Sequence, residues 1–296
     1  MKAFLAEYAS LTGDPGIARE GAAMREVLKR SFESCGYEVV QPVTADLDAE
    51  IRRLGPSCDV GLVVAPDHLL SGFTRTLEQV CHNVGCGSMN VAVAANKQRS
   101  AAILARHGLP VPPELRDGRR VIKPVRGYGS LGVRLSDGPA SEGEFGQAYI
   151  EGEHLSVSLV GTRVVGDACE YWSGEPPLAL ALNRQEIEID QEGRFHYHGG
   201  ETPIEHPRRD ECIDLARRAI VVLGCQGYAG VDLVLGDRPY LVDVNPRVTT
   251  SLVGIAAVMQ EEVADILVRA SKGLKLPQIH LTGRVRYGTD GTVTRL

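Results

Sequence analysis

The stretch GYAGVDLVLGDRPYLVDVNPRVTTS, residues 227–251, decides how this chain is read. Two apolar runs, VDLVL (231–235) and YLVDVN (240–245), flank GDRP, whose Gly, Asp and Pro mark a tight hairpin turn. If Leu235 pairs with Tyr240, Asp232 lies directly opposite Asp243, and Asn245 shares their face two residues on. The other face then carries Val231, Leu233, Leu235, Tyr240, Val242 and Val244, all suited to a core. That pins the register, because a slip of one residue would bury the acids. Directly opposed carboxylates, with Cβ atoms about 4.5–5.5 Å apart, repel each other. A hard divalent cation, held by carboxylate and amide oxygens and completed by phosphate oxygens, removes the repulsion. The alternative, an exposed acidic face on a surface hairpin, leaves Asn245, Pro246 and Arg247 unexplained.

Upstream, VIKPVRGYGSLGVRL (121–135) reads as a strand, a loop containing Gly127, Tyr128, Gly129, Ser130 and Gly132, and a return strand. Glycines at this density permit backbone conformations in which successive N–H groups face phosphate oxygens. Lys123 on the incoming strand supplies a point charge for the same phosphates. The spacing matches neither a P-loop nor GxGxxG at the opening of a helix, so an ordinary Gly-rich hairpin loop is the competing reading. In GQAYIEGEHLSVSLVG (146–161), an extended segment could offer Gln147 and backbone groups to an adenine edge and a polar side chain to the ribose, and an ordinary loop into a strand explains the stretch equally.

Outward from these motifs the chain divides in three. Residues 1–95 alternate strand and helix: KAFLAEY, AREGAAMREVLKRSFESCG, YEVVQPV, DAEIRRLGP, DVGLVVAP and FTRTLEQVCHNVG predict an α/β layer with a parallel sheet. Residues 96–150 begin with a helix capped by Asn96, running to Gly108 and stopped by three prolines, followed by the strand that carries Lys123. Residues 151–296 alternate strands with helices over HPRRDECIDLARRAIVVLG and VMQEEVADILVRASKG.

Composition narrows the function classes. The net charge is −6 and the 32 Lys and Arg are scattered, so the basic patch that nucleic-acid binding requires is missing and an anionic ligand must be held locally. No apolar run reaches membrane-spanning length, and the start MKAFLAEYASLTGDPG lacks the order of a signal peptide, which predicts a cytoplasmic protein. Seven cysteines with no CxxC pair read as reduced, buried thiols. Cys81, His82 and Cys86 lack an evident fourth metal ligand.

The order of parts from Asn96 to Ser251 resembles the ATP-grasp superfamily, in which two α+β subdomains clasp ATP behind an α/β N-terminal domain. The resemblance implies ATP with Mg2+ or Mn2+, and phosphorylation of a small-molecule acid that an amine then attacks. It places Lys97 at the first nucleotide-binding lysine, Lys123 on the α- and β-phosphates, Gly127 to Gly132 over the phosphates, and Gln147 and Ile150 at adenine. It assigns Asp232, Asp243 and Asn245 to metal, and Arg247 and Arg184 to the transferring phosphate. Two positions depart from the pattern. The ribose position, commonly Glu, is His154 with Glu153 beside it, and an arginine common two residues before the first metal ligand is Gly230. Within the superfamily, YASLTGDPGIAREGAAM, KPVRGYGSLGV and DVNPRVTTS resemble the archaeal ligases of methanofuran biosynthesis that join the γ-carboxylate of glutamate to tyramine. Asp67, Arg75 and Glu78 lie where α/β sheets bind ligands, with Arg75 a candidate for an α-carboxylate and Glu78 for an amine, although a solvated helix start is the better account of them. A small-molecule kinase and a nucleotide sensor without turnover are the rival classes, and a homodimer is a compatible assembly.

Overall fold

The structure is a computed structural model that describes residues 1–127, 129–162 and 175–296. Tyr128 of the glycine loop and Cys169 lie outside the described residues.

The N-terminal layer runs β1 (Lys2–Glu7), α1 (Tyr8–Thr12), α2 (Ala18–Ser34), β2 (Glu38–Val40), α3 (Leu47–Leu54), β3 (Val60–Val64), α4 (Asp67–Glu78) and α5 (Ser88–Ala94). Its three strands form the expected parallel sheet, in the order β2-β1-β3. The fully buried VGLVV of β3 is the continuous apolar run such a strand needs. The helix expected over 73–85 instead begins at Asp67 and ends at Glu78. Glu78 then accepts hydrogen bonds from the Ser88 amide (3.0 Å) and hydroxyl (2.6 Å), and Asn83 turns the chain by accepting from Gly85 N (2.9 Å). Side chains that bond the local backbone in this way compete with helix, and here they win.

The second unit contains α6 (Lys97–Arg106) and the antiparallel sheet β5-β4-β6, built from β4 (Arg120–Pro124), β5 (Arg134–Ser136) and β6 (Glu144–Ala148). Asn96 caps α6 as its position predicts, accepting from Arg99 N at 2.9 Å.

The third unit is a seven-stranded sheet ordered β11-β10-β7-β8-β9-β12-β13. Its strands are β7 (Glu153–Gly161), β8 (Leu178–Ile189), β9 (Phe195–Thr202), β10 (Gly227–Leu235), β11 (Pro239–Asn245), β12 (Val285–Gly288) and β13 (Val293–Arg295). One face packs on α7 (Arg209–Leu223): Leu155, Val157, Leu182, Val231 and Leu233 meet Ile213, Ala216 and Ile220 in one core. The remaining helices are α8 (Ser251–Ala256) and α9 (Val263–Ser271). The sequence predicts α9 but not α8, because Ser251 to Ile255 are all buried and leave no polar face to set a helical period. The opposite face of the sheet looks toward β4, β6 and the N-terminal layer, and there the cleft lies.

Candidate active site

On the β10–β11 hairpin, Gly230 stands opposite Asn245, Val231 opposite Val244, and Asp232 opposite Asp243. The expected Leu235–Tyr240 pair is not made: past Asp232 the register shifts, so Leu233 faces Leu241, Val234 faces Tyr240 and Leu235 faces Pro239. One extra residue on β11, Val242, absorbs the difference as a bulge. The core therefore takes Leu241 in place of Tyr240 and Val242. Val242 lines the cleft, and its carbonyl accepts from Lys123 Nζ at 2.6 Å.

The two acids are held differently. Asp232 accepts from Gln185 Nε2 and Asn245 Nδ2, each at 2.9 Å. Burial, with Asp243 adding to it, pushes the Asp232 carboxyl up to about 6. Asp243 is ion-paired with Lys97 and accepts from Val244 N at 3.0 Å. Burial works against its charge, but the Lys97 and Lys123 ammoniums outweigh that and hold it below the usual range. Burial pushes Lys123 down to about 8, with Asp243 opposing and Lys97 assisting. A cation between the acids would satisfy Asp232, whose hydrogen-bond partners among the described residues are both side-chain amides. Among the described residues no group of three His, Cys, Asp or Glu converges, so the donor set is two carboxylates and one amide. That set fits a hard ion such as Mg2+ or Mn2+, with phosphates and water completing the shell, and does not fit zinc.

Gly127, Gly129 and Ser130 line the same cleft, and Gly132 does not. Gly129 and Ser130 both have φ of 61°, the left-handed region where a serine is unusual. The return strand is fastened by Arg134, whose guanidinium donates to Glu144 at 2.6 and 2.8 Å. Arg134, then the Ser141 amide, hold Glu144 down at about 2. The stability this pair supplies is therefore complete above the ordinary value of 4.5 and is lost as pH falls toward 2. Glu144→Gln should cost about 1–3 kcal/mol near neutrality, a penalty that shrinks in acid, and should raise the KM for ATP by loosening the loop; urea melts at pH 7 and pH 3, with ATP kinetics, check both.

At the far end, Gln147 is buried and donates to the Pro112 carbonyl at 3.0 Å, among cleft residues Ala148, Tyr149, Ile150 and Val234. Of the two residues at the ribose position, His154 lines the cleft, and burial lowers its pKa. Glu153 does not; it is paired with Arg184 and His206, each at 3.7 Å. Arg184 lies outside the cleft as well. It sits opposite Leu155 on the α7 face of the sheet and meets Glu153 and Glu201, while the next residue, Gln185, turns to Asp232. Alternation along β8 puts the arginine on the wrong face. Arg75 and Glu78 are likewise elsewhere: Glu78 staples α5, and Arg75 lines a surface groove over α3 and α4.

Four cleft residues carry no sequence signal strong enough to select them: Glu20, Gln185, Tyr197 and Thr250. Glu20 reads as one more polar position on α2, yet the Thr250 hydroxyl donates to it across the domain junction. Arg247 donates through Nε to Asp67 at 2.8 Å, a pair in which the acid is 2 % exposed. Asp67 thus belongs to the site, but as the partner of Arg247.

Residues 94–251 match the ATP-grasp domain family, and the chain belongs to it. Over 299 residues it is 28% identical to a tyramine–L-glutamate ligase from Methanocaldococcus fervens, covering 91% of this chain and 94% of that one. Against the tyramine–L-glutamate ligase of Methanocaldococcus jannaschii the identity is 30%, with 91% and 89% covered. A crystal structure of an ATP-grasp superfamily protein from Archaeoglobus fulgidus superposes with a TM-score of 0.76 at 29% identity, covering 97% of this chain and 92% of that one. The chain is accordingly an ATP-dependent carboxylate–amine ligase acting on small molecules. Among the described residues no helix is long and apolar enough to cross a membrane.

Proposed function

We propose that this ligase joins the γ-carboxylate of L-glutamate to the amine of tyramine, giving γ-glutamyltyramine, ADP and phosphate, as methanofuran biosynthesis requires. The observation that carries the reading is the opposed Asp232–Asp243 pair with Asn245 beside it, facing Lys97, Lys123 and Arg247 across one cleft, in a chain alike to tyramine–L-glutamate ligases over nine-tenths of its length. Asp232, Asp243 and Asn245 would hold Mg2+ or Mn2+. When bound, such an ion neutralises phosphate charge and aligns the γ-phosphate for in-line transfer. Lys97, Lys123 and the loop amides of Gly127, Gly129 and Ser130 bind the phosphate chain, with Gly132 shaping the loop's exit. Gln147, Ile150 and His154 receive the adenosine. Arg247, held rigid by Asp67, orients the acid and then stabilises the acyl phosphate and the tetrahedral oxyanion formed when the amine attacks. A cytoplasmic location suits the need for ATP.

The test is product chemistry. With glutamate and tyramine together, ADP release should be fast and the product mass that of the amide, and omission of either substrate should suppress it. ADP formed with the acid alone, alongside a stable phosphorylated product, would make the protein a kinase.

A further inference from the structure

A second, smaller cavity opens where β1 and β3 end, against α2 and its lead-in. Its walls are Ile17, Met24, Val64, Ala65 and Pro66, and three residues, Glu20, Gly129 and Arg247, line both it and the nucleotide cleft. The chamber is therefore an apolar side room whose doorway stands beside the glycine loop and the arginine. This is the carboxyl end of a parallel sheet, where open α/β layers receive ligands.

Its polar groups are acidic and short of cations. Glu7, 4 % exposed, projects from the end of β1, and its carboxylate accepts from Ala9 N (3.0 Å) and Ser10 N (2.6 Å). Gly21 of α2 leaves room for it, since a Cβ there would come within 2.2 Å of a Glu7 oxygen. Among the described residues, Glu20 at the doorway accepts a hydrogen bond only from the Thr250 hydroxyl. Burial raises its pKa, Thr250 and Arg247 ease the rise, and Glu7 adds to it. Arg247, the one cation lining the chamber among the described residues, already serves Asp67. A carboxylic acid would be repelled from this room and drawn toward the lysine side of the cleft. A primary ammonium on an apolar body would satisfy the doorway acid and fill the walls.

We propose that this chamber is the acceptor-amine subsite of the ligase, with Glu20 holding the substrate ammonium at the doorway and Ile17, Met24 and Val64 selecting an apolar body. The proposal rests on the ligase reading above. Hydroxylamine separates the two, because it is small and uncharged near neutrality, intercepts an acyl phosphate as a hydroxamate, and needs neither the ammonium partner nor the apolar walls. In Glu20→Gln, kcat/KM for tyramine should fall about 100-fold, the size of a lost charge-assisted hydrogen bond, while hydroxamate formation from glutamate and ATP falls less than about tenfold. Met24→Trp, which fills the chamber, should raise the KM for tyramine about tenfold or more with the KM for glutamate changed far less. Retained hydroxamate formation with unaltered tyramine kinetics in both variants would overturn the subsite, as would a defect confined to the KM for glutamate or an equal loss with both nucleophiles. Wild-type protein that forms neither hydroxamate nor amide would instead sink the ligase reading.

Discussion

Asp243→Ala should lower turnover about 1,000-fold or more and abolish its dependence on magnesium concentration, read as ADP release with both substrates saturating. Two effects compete in the variant. Removing one of two opposed carboxylates relieves repulsion on Asp232, whose carboxyl should fall from its raised value near 6. Against this, Lys97 loses its ion-pair partner, and Lys97 and Lys123, each 8 % exposed, are left as neighbouring buried cations. An uncompensated buried charge costs about 3–5 kcal/mol, which outweighs the relief, so the ligand-free variant should also melt early. Asp243→Asn keeps the shape and a hydrogen-bond acceptor for Lys97 and guards against mere unfolding. It should fold and still lose most of its turnover. Near-normal activity in a folded Asp243→Asn would refute the metal assignment.

The amino-acid sequence reveals those features whose signal is local. The helix cap at Asn96, the parallel N-terminal layer and the facing of Asp232 with Asp243 all follow from short-range patterning, and the structure has them. The Asp232–Asp243 pair forms although Leu235 faces Pro239 and not Tyr240, and no composition cue marks Val242 as the bulged residue. Arg184 was misplaced by a single step of strand alternation: Gln185 holds the cleft position, and the bulge beyond it on β8 blurs the register further. Glu20 and Thr250 are 230 residues apart and meet only because α2 packs beside the N-terminus of α8, a helix whose uniformly buried face hides its period. Long-range packing of this kind leaves no trace in local pattern. The family resemblance, by contrast, rests on the order of motifs along the chain and survives those local errors.

Lys123→Met should raise the KM for ATP about 100-fold or more while leaving the ligand-free fold as stable as the parent or slightly more so. Burial holds the Lys123 ammonium at a low value of about 8. Among the described residues that ammonium makes one hydrogen bond, to the Val242 carbonyl, and lies 5.3 Å from the Phe145 ring centroid; attraction to Asp243 and repulsion from Lys97 do not cancel the penalty of burial. Its presence is thus a strain on the fold that phosphate relieves. A folded value below the ordinary 10.5 means the unfolded chain binds more protons between pH 8 and 10.5, so parent stability should rise with pH across that window through this group, and the variant should lack the rise. Binding has the opposite dependence. Phosphate requires the ammonium, and above pH 8 its population falls about tenfold per unit, so the parent KM for ATP should climb accordingly while that of Lys123→Met does not follow. Thermal melts supply an independent reading: an ATP analogue with magnesium at 100 times its Kd should stabilise the parent by about 2.7 kcal/mol and the variant hardly at all at the same concentration. A variant that keeps both its KM for ATP and its stabilisation by the analogue would remove Lys123 from the phosphate site and leave Lys97 and the loop amides to bind the nucleotide alone.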